Sequence, residues 1–147
     1  KPHGAINNMA CADEGLSAAI VRAVKAVDPD IIMLAPVLSE LLAQSEKAGL
    51  PVAAEVFADR AYMPDGQLVP RHRHDAMIHN PEDSLTHCLR MFGDGVIQAV
   101  DGGMLAVAAQ SVCVHGDGPA ALATARHIKD GLQAAGFQIK TLPQMIR

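Results

Sequence analysis

Apolar residues in this chain fall into two alternating kinds of run, and the alternation sets out its elements. Leu16, Ile20, Val24 and Val27 recur at helical spacing, which predicts a helix from roughly Asp13 to Val27 with one apolar stripe. Asp28-Pro29-Asp30 ends it. Ile31 to Leu34 is apolar without interruption and reads as a short strand buried on both faces. Pro36 breaks that strand. Ser39 to Ala48 predicts the next helix, with Leu41, Leu42 and Ala48 inward and Gly49 as its left-handed stop. Pro51 to Val56 predicts a second strand.

No period marks Asp59 to His79. This loop of about twenty residues holds Pro64-Asp65-Gly66, Pro70 and the basic stretch Arg71-His72-Arg73-His74, and loops of that length usually serve function. Asn80 caps another helix, with Pro81 at its first position and Glu82 and Asp83 in its first turn. Leu85, Leu89 and Phe92 are its expected buried stripe and Gly93 its end. Val96 to Val100 predicts a third strand, Asp101-Gly102-Gly103 a turn, and Leu105 to Ala109 fits helix or strand equally. Ser111 to Val114 predicts a further strand. Asp117 and Pro119 open a last helix to about Ala135, closed by Gly136, and Phe137 to Arg147 adds one more short strand.

Strand and helix thus alternate with a period of about thirty residues, the pattern of a parallel sheet wound with helices. About four such units are present, against the seven or eight of a closed barrel, which also needs a longer chain. The class is α/β: an open doubly wound sheet, or the second half of a barrel whose first half is missing upstream. The opening on Lys1 rather than Met fits the second alternative.

In such folds functional groups collect at the C-terminal ends of strands, and three polar clusters are expected there. Lys1-Pro2-His3-Gly4 opens the chain, Glu55 to Arg60 follows the apolar run Leu50 to Ala54, and His115-Gly116-Asp117 follows Ser111 to Val114. They read as one site. Glu55, Asp59 and Arg60 could form an ion-pair network holding a loop. A carboxylate leaving a buried strand is partly desolvated, however, which favours catalysis or substrate binding. Arg60 has the planar fork that clamps a carboxylate or phosphate. His3 and His115 suit proton transfer or metal ligation, and Lys1 suits an anion. Asp117 serves a ligand or the cap of the following helix equally well. His72, His74 and His79 match no structural zinc spacing and read as a solvated loop. Cys113, between valines, reads as a small core residue. Gly116-Asp117-Gly118 lacks the Lys-Ser/Thr of a phosphate loop.

Composition then narrows the function classes. A chain of 147 residues that is 50% hydrophobic makes one domain with an ample core. A formal charge of −4, no Trp and one Tyr leave neither the positive surface nor the stacking platforms of a nucleic-acid binder. No apolar run is long enough to span a bilayer, and no secretory or transit segment is seen. Three scattered cysteines point to a reducing cytosol rather than a disulfide framework.

Three motifs bear on identity: Lys1-Pro2-His3-Gly4-Ala5 with Asn8; Glu55-Val56-Phe57-Ala58-Asp59-Arg60-Ala61-Tyr62 with Gly66 and Leu68-Val69-Pro70-Arg71; and Cys113-Val114-His115-Gly116-Asp117. In this order they resemble the LamB/YcsF family over essentially the whole chain. Asn7 departs from the family, which usually has a tyrosine before the asparagine. The family's chains run to about 250 residues, the size of a barrel, and its Asp-Leu-Asn, Gly-Phe-His-Ala-Gly-Asp and Gly-Ala-His-Pro motifs are not seen here. The resemblance implies a distorted, incomplete seven-stranded β/α barrel of the glycoside hydrolase/deacetylase type, of which this chain covers about the second half. It also implies the opening of 5-oxo-L-proline (pyroglutamate) to L-glutamate, coupled to hydrolysis of ATP as co-substrate, together with subunits B and C.

On that reading Glu55 or Asp59 is the general base, and His3 and His115 shuttle protons or hold a divalent metal. Arg60 with Lys1 holds anions, and Arg71 and Asp117 bind substrate. Two alternatives stay open. One is a metal-dependent amide or sugar deacetylase on the same barrel, with His3 and His115 among the ligands. The other is a non-catalytic subunit of an assembly. All three readings are compatible with a homo-oligomer.

Overall fold

Residues 1–117 and 119–146 are described by the computed structural model; Gly118 and Arg147, which fall in the Gly-Asp-Gly stretch and the expected last strand, lie outside them. In chain order the helices are α1 (Gly4–Ala12), α2 (Glu14–Val27), α3 (Glu40–Lys47), α4 (Pro81–Leu89), α5 (Ala121–Ala134) and α6 (Leu142–Met145). The strands are β1 (Met33–Pro36), β2 (Val52–Phe57), β3 (Val96–Gln98), β4 (Met104–Ala106) and β5 (Ser111–Cys113). They divide into two units, one of residues 1–55 with the tail from Lys140, the other of residues 56–139.

The first unit is built around β1 and the part of β2 within it, paired parallel from Met33 with Val52 to Pro36 with Glu55 and joined through α3. Ser39 starts α3 because its hydroxyl accepts from Leu42 N at 3.1 Å while donating to Pro36 O at 2.6 Å. Asp13 caps α2 in the same way, accepting from Leu16 N at 2.9 Å. Ala10, Val21, Met33, Ala35, Leu41 and Leu50 form the buried core, with Leu16, Ile20, Val24 and Leu42 packed against it. Spacing had placed Val27 in the same stripe, but it is 88% exposed at the helix end.

Three expectations for this unit need correction. The strand runs Met33–Pro36 rather than Ile31 to Leu34, and Ile31 is 47% exposed. Pro36 closes the strand from inside it, since a proline at a strand end forfeits no essential ladder bond. The opening residues, where the pattern predicted no element, contain a helix: α1 starts at Gly4, whose φ of +60° only glycine adopts freely, and buries Asn7, Ala10 and Cys11. The expected C-terminal strand is the short helix α6, with Thr141 and Gln144 in a capping box.

In the second unit β5 neighbours the end of β2, and Ala58 N donates to Cys113 O at 3.0 Å. β3 and β4 form a separate antiparallel pair, Val96 opposite Ala106. This corrects the all-parallel expectation: the Asp101-Gly102-Gly103 turn is too short to cross over, and only a hairpin fits. It also resolves Leu105 as strand. Asn80 caps α4 as expected, accepting from Glu82 N at 2.9 Å. The buried face of α4 is Ser84, His87 and Cys88, continued by Met91, whereas Leu85, Leu89 and Phe92 are half-buried. Gly93 does not stop the helix. Arg90–Asp94 widens into a π turn that ends at Gly95, in the left-handed region at φ +67°.

α4 packs on α5, and Gly131 makes that approach: a Cβ there would overlap Cδ1 and Cδ2 of Leu85. Gly131→Ala is expected to lower the unfolding free energy by about 1–3 kcal/mol. In a double-mutant cycle with Leu85→Ala, read by denaturant unfolding, the two costs should fail to add because the second change removes the overlap.

Candidate functional site

The polar clusters resolve into two pairs, one in each unit. In the first, β2 carries Glu55 in a stretch buried from Ala53 to Phe57, and the glutamate side chain is 3% exposed. A carboxylate so placed needs a counter-charge. Lys1 supplies it, with Nζ 2.5 Å from Oε2 and its own side chain 18% exposed. The Glu55 carbonyl accepts from Val37 N at 2.9 Å, which ties the same residue to the end of β1. His3, the residue before α1, is exposed and makes no side-chain cap bond.

In the second unit Asp59 lies two residues beyond β2 and His115 two beyond β5. Both Asp59 oxygens are 2.9 Å from His115 Nδ1, and the His115 backbone N donates to Oδ2 at 3.3 Å. Phe57 stacks on the imidazole, with centroids 6.0 Å apart and planes 17° from parallel. An ionised carboxylate only accepts, so Nδ1 carries the proton and the neutral ring keeps its lone pair on Nε2. Asp59 and His115 line a cavity of about 390 Å³ with Met77, Ile78 and Thr124. An oriented imidazole at a cavity wall can take a proton from water or a substrate.

The remaining predicted residues have other surroundings. Arg60 is 3% exposed; its Nη2 donates to Val69 O at 2.6 Å and its Nε to Ala76 O at 3.4 Å. Burial, then the nearby Arg71, lower its pKa, and Asp59 and Tyr62 oppose them. The guanidinium expected as an anion clamp therefore holds carbonyls of the long loop. Arg71 and Asp117 face each other at 3.9 Å, both largely exposed. Asp117 does not cap α5, which begins at Ala121 with no side-chain cap. Among the described residues no three His, Cys, Asp or Glu side chains converge as a metal would require, and His3 and His115 sit in different units. No helix among the described residues is long and apolar enough to cross a membrane.

Two residues escaped the sequence reading. Tyr62 is 2% exposed, and its hydroxyl accepts from Phe57 N at 3.0 Å, closing the strand end that leads to Asp59. Its being the sole tyrosine, directly after the charged cluster, was the available signal. His87 is 7% exposed on α4. Burial, with Arg90 adding to it and a hydrogen bond to the Arg60 backbone opposing, lowers its pKa from 6.5 to about 4. It follows Ser84 at helical spacing and precedes Cys88, a face that a count of large apolar residues passes over.

The chain also has known relatives. The family model described as LamB/YcsF family matches residues 1–147. The chain is 48% identical over 145 residues to the A subunit of 5-oxoprolinase from Azoarcus sp. (strain BH72), covering 99% of this chain and 57% of that protein. It is 42% identical over 144 residues to the A subunit of 5-oxoprolinase from Bacillus subtilis (strain 168), covering 98% and 56%. The crystal structure of a lactam utilization protein from Thermus thermophilus superposes with a TM-score of 0.84 at 38% identity, over 95% of this chain and 55% of that one. The chain thus spans a little over half the length of the relatives it matches.

Breaking the Lys1–Glu55 pair from one side should be costly. Lys1→Met is expected to lower stability by up to about 3 kcal/mol, with partial recovery when Glu55→Gln removes the stranded charge, as measured by chemical denaturation. His87 gives a pH signature. The unfolded chain takes a proton there below pH 6.5 and the folded chain resists until about 4, so this group's contribution is lost as pH falls through that window. Thermal midpoints of the wild type should fall more steeply between pH 6.5 and 4 than those of His87→Leu.

Proposed function

This chain belongs to the LamB/YcsF family, and from that premise we propose that it serves as the A subunit of a 5-oxoprolinase, opening 5-oxo-L-proline to L-glutamate with hydrolysis of ATP. The observation that carries the reading is the Asp59–His115 pair on a cavity wall, in a chain similar over nearly its whole length to proteins named for this activity. The parallel β1–α3–β2 unit is read as part of a β/α barrel wall, since that is the motif a barrel repeats. Subunits B and C are the proposed partners. A reducing cytosol is the proposed setting, because Cys11, Cys88 and Cys113 form no disulfide.

A lactam carbonyl is a poor electrophile. Phosphorylation of its oxygen by ATP, with release of ADP, makes the carbon open to water; the ring C–N bond then breaks as the nitrogen takes up a proton, leaving a γ-glutamyl phosphate, and a second water displaces the phosphate. The attacking water must lose a proton, and His115 Nε2 is the base best placed to take it. Asp59 keeps the proton on Nδ1 and stabilises the imidazolium that forms. The exposed Arg71, beside Asp117, is assigned to holding the anionic ends of the reactants. Arg60 acts through the loop it braces. No step is routed through a metal.

The test is ATP-dependent glutamate release from 5-oxo-L-proline by the intact protein, with and without subunits B and C. His115→Ala should lower kcat about 10²–10⁴-fold. Asp59→Asn should also lower kcat markedly, by freeing the ring tautomer, with KM changed little. Absence of glutamate release with all subunits and ATP present would overturn the reading, and an undiminished His115→Ala rate would remove the base.

A further inference from the structure

The cavity that bears Asp59 and His115 has a second wall, which the base does not use. The start of α5 supplies it, through Pro119, Ala120, Ala121 and Thr124. The N–H groups of a helix's first turn have no intrahelical acceptor, and in α5 the ladder opens with Thr124 N donating to Ala120 O at 2.8 Å. No side chain caps this helix, and no acidic residue stands in its first turn. Ala120 and Ala121 carry only methyl groups, so a ligand can come close to the backbone. A larger cavity of about 610 Å³ beside α4 meets a different helix start: Asn80 caps it, and Glu82 and Asp83 fill its first turn with negative charge.

Thr124 is the residue that points to a ligand. It is 8% exposed, and its hydroxyl makes no hydrogen bond among the described residues, although a helical threonine commonly bonds back to the carbonyl four residues earlier. Thr124 Oγ1 is also not among the polar atoms that are sealed without a partner, so it keeps open surface, and the cavity is the space that Thr124 lines. A nearly buried hydroxyl in that position donates to whatever occupies the cavity. The acidic groups of the lining are already engaged, Asp59 by His115 at 2.9 Å and Asp117 by Arg71 at 3.9 Å. This wall therefore offers donors and the positive end of a helix dipole, with Arg71 as the nearby cation.

Resting on the lactam-opening reading, we propose that the first turn of α5 and the Thr124 hydroxyl form the site for the phosphoryl group of the activated substrate. The non-bridging oxygens accept from N–H groups of the helix start and from Thr124 Oγ1. The carbon under attack is one oxygen away from phosphorus. Seating the phosphoryl group at α5 therefore brings that carbon into the cavity where His115 Nε2 takes the proton of the attacking water. The group stays there while the ring C–N bond breaks, and the same donors hold the phosphate that the second water displaces. A cavity of about 390 Å³ has room for the small ring and its phosphoryl group together.

Inorganic phosphate is the probe. Calorimetric titration of the intact protein should show binding to wild type and to Thr124→Ser, and binding weakened about tenfold or more in Thr124→Val, which keeps the shape and loses the donor. Ala120→Asp, a change that favours a helix start but brings its own carboxylate, should also weaken phosphate binding while the thermal midpoint stays at or above that of wild type. Should Thr124→Val fail to fold, the wild-type and Ala120→Asp titrations decide. With subunits B and C present, Thr124→Val should form less glutamate per ADP released, because the activated lactam is made but poorly held for attack. A raised KM for ATP with that ratio unchanged would put the phosphoryl group of ATP at α5 and overturn the proposal. No phosphate binding by wild type, or undiminished binding by the folded variants, would overturn the site while glutamate release by wild type keeps the activity reading intact. Wild-type protein that releases no glutamate with all subunits and ATP present would overturn both.

Discussion

One buried guanidinium gives the second unit its order. The loop from Asp59 to His79 has no helix or named strand to satisfy its backbone, and a buried carbonyl without a partner is costly. Arg60 answers that need from within the loop, its fork bonded to Val69 O and Ala76 O. Around it Ala61 N donates to Ala76 O at 3.0 Å, Val69 N to Ala61 O at 3.0 Å, and Ile78 N to Asp59 O at 2.9 Å. The charge is held where burial disfavours it because these carbonyls and Asp59 receive it. Replacing the fork with an ammonium would supply the charge but not two diverging planar donors.

That bracing reaches the candidate chemistry through Asp59, which is fixed at both its main chain and its side chain. Its carbonyl is engaged by Ile78, its carboxylate by His115, and the preceding turn is closed by the Tyr62 hydroxyl on Phe57 N. Phe57 in turn stacks on His115. Residues 57 to 62 thus form a short closed circuit in which apolar stacking and three kinds of hydrogen bond act on one imidazole. A side chain held from so many directions has few rotamers left, which is what an oriented base requires.

Much of this was legible because it depends on local chemistry. The cap at Asn80, the helix starts at Asp13 and Ser39 and the stop at Gly49 follow from single residues, and the structure has them there, with Asp13 and Ser39 also acting as caps. The pairing of Asp59 with His115 was within reach because both follow short apolar runs. What escaped depends on tertiary context. The inward face of α4 is Ser84, His87 and Cys88 because Gly131 lets α5 approach beside Leu85, and no periodicity of large apolar residues reports that. The duty of Arg60 was illegible for a related reason: its partners are backbone carbonyls nine and sixteen residues away, which carry no signature in residue type. The hairpin β3–β4 was missed because a strand-then-turn pattern looks the same until the pairing partner is known.

The glycine at 131 also bears on the cavity beside α4. With α5 seated so close to Leu85, α4 has little freedom to slide or rotate, and its other face, carrying His87 and Arg90, inherits that rigidity. A wall that cannot yield fixes the volume of the cavity it borders, because the space gains no room by pushing the helix outward. The absence of one methyl group on α5 would then act as a gauge for what the neighbouring helix admits.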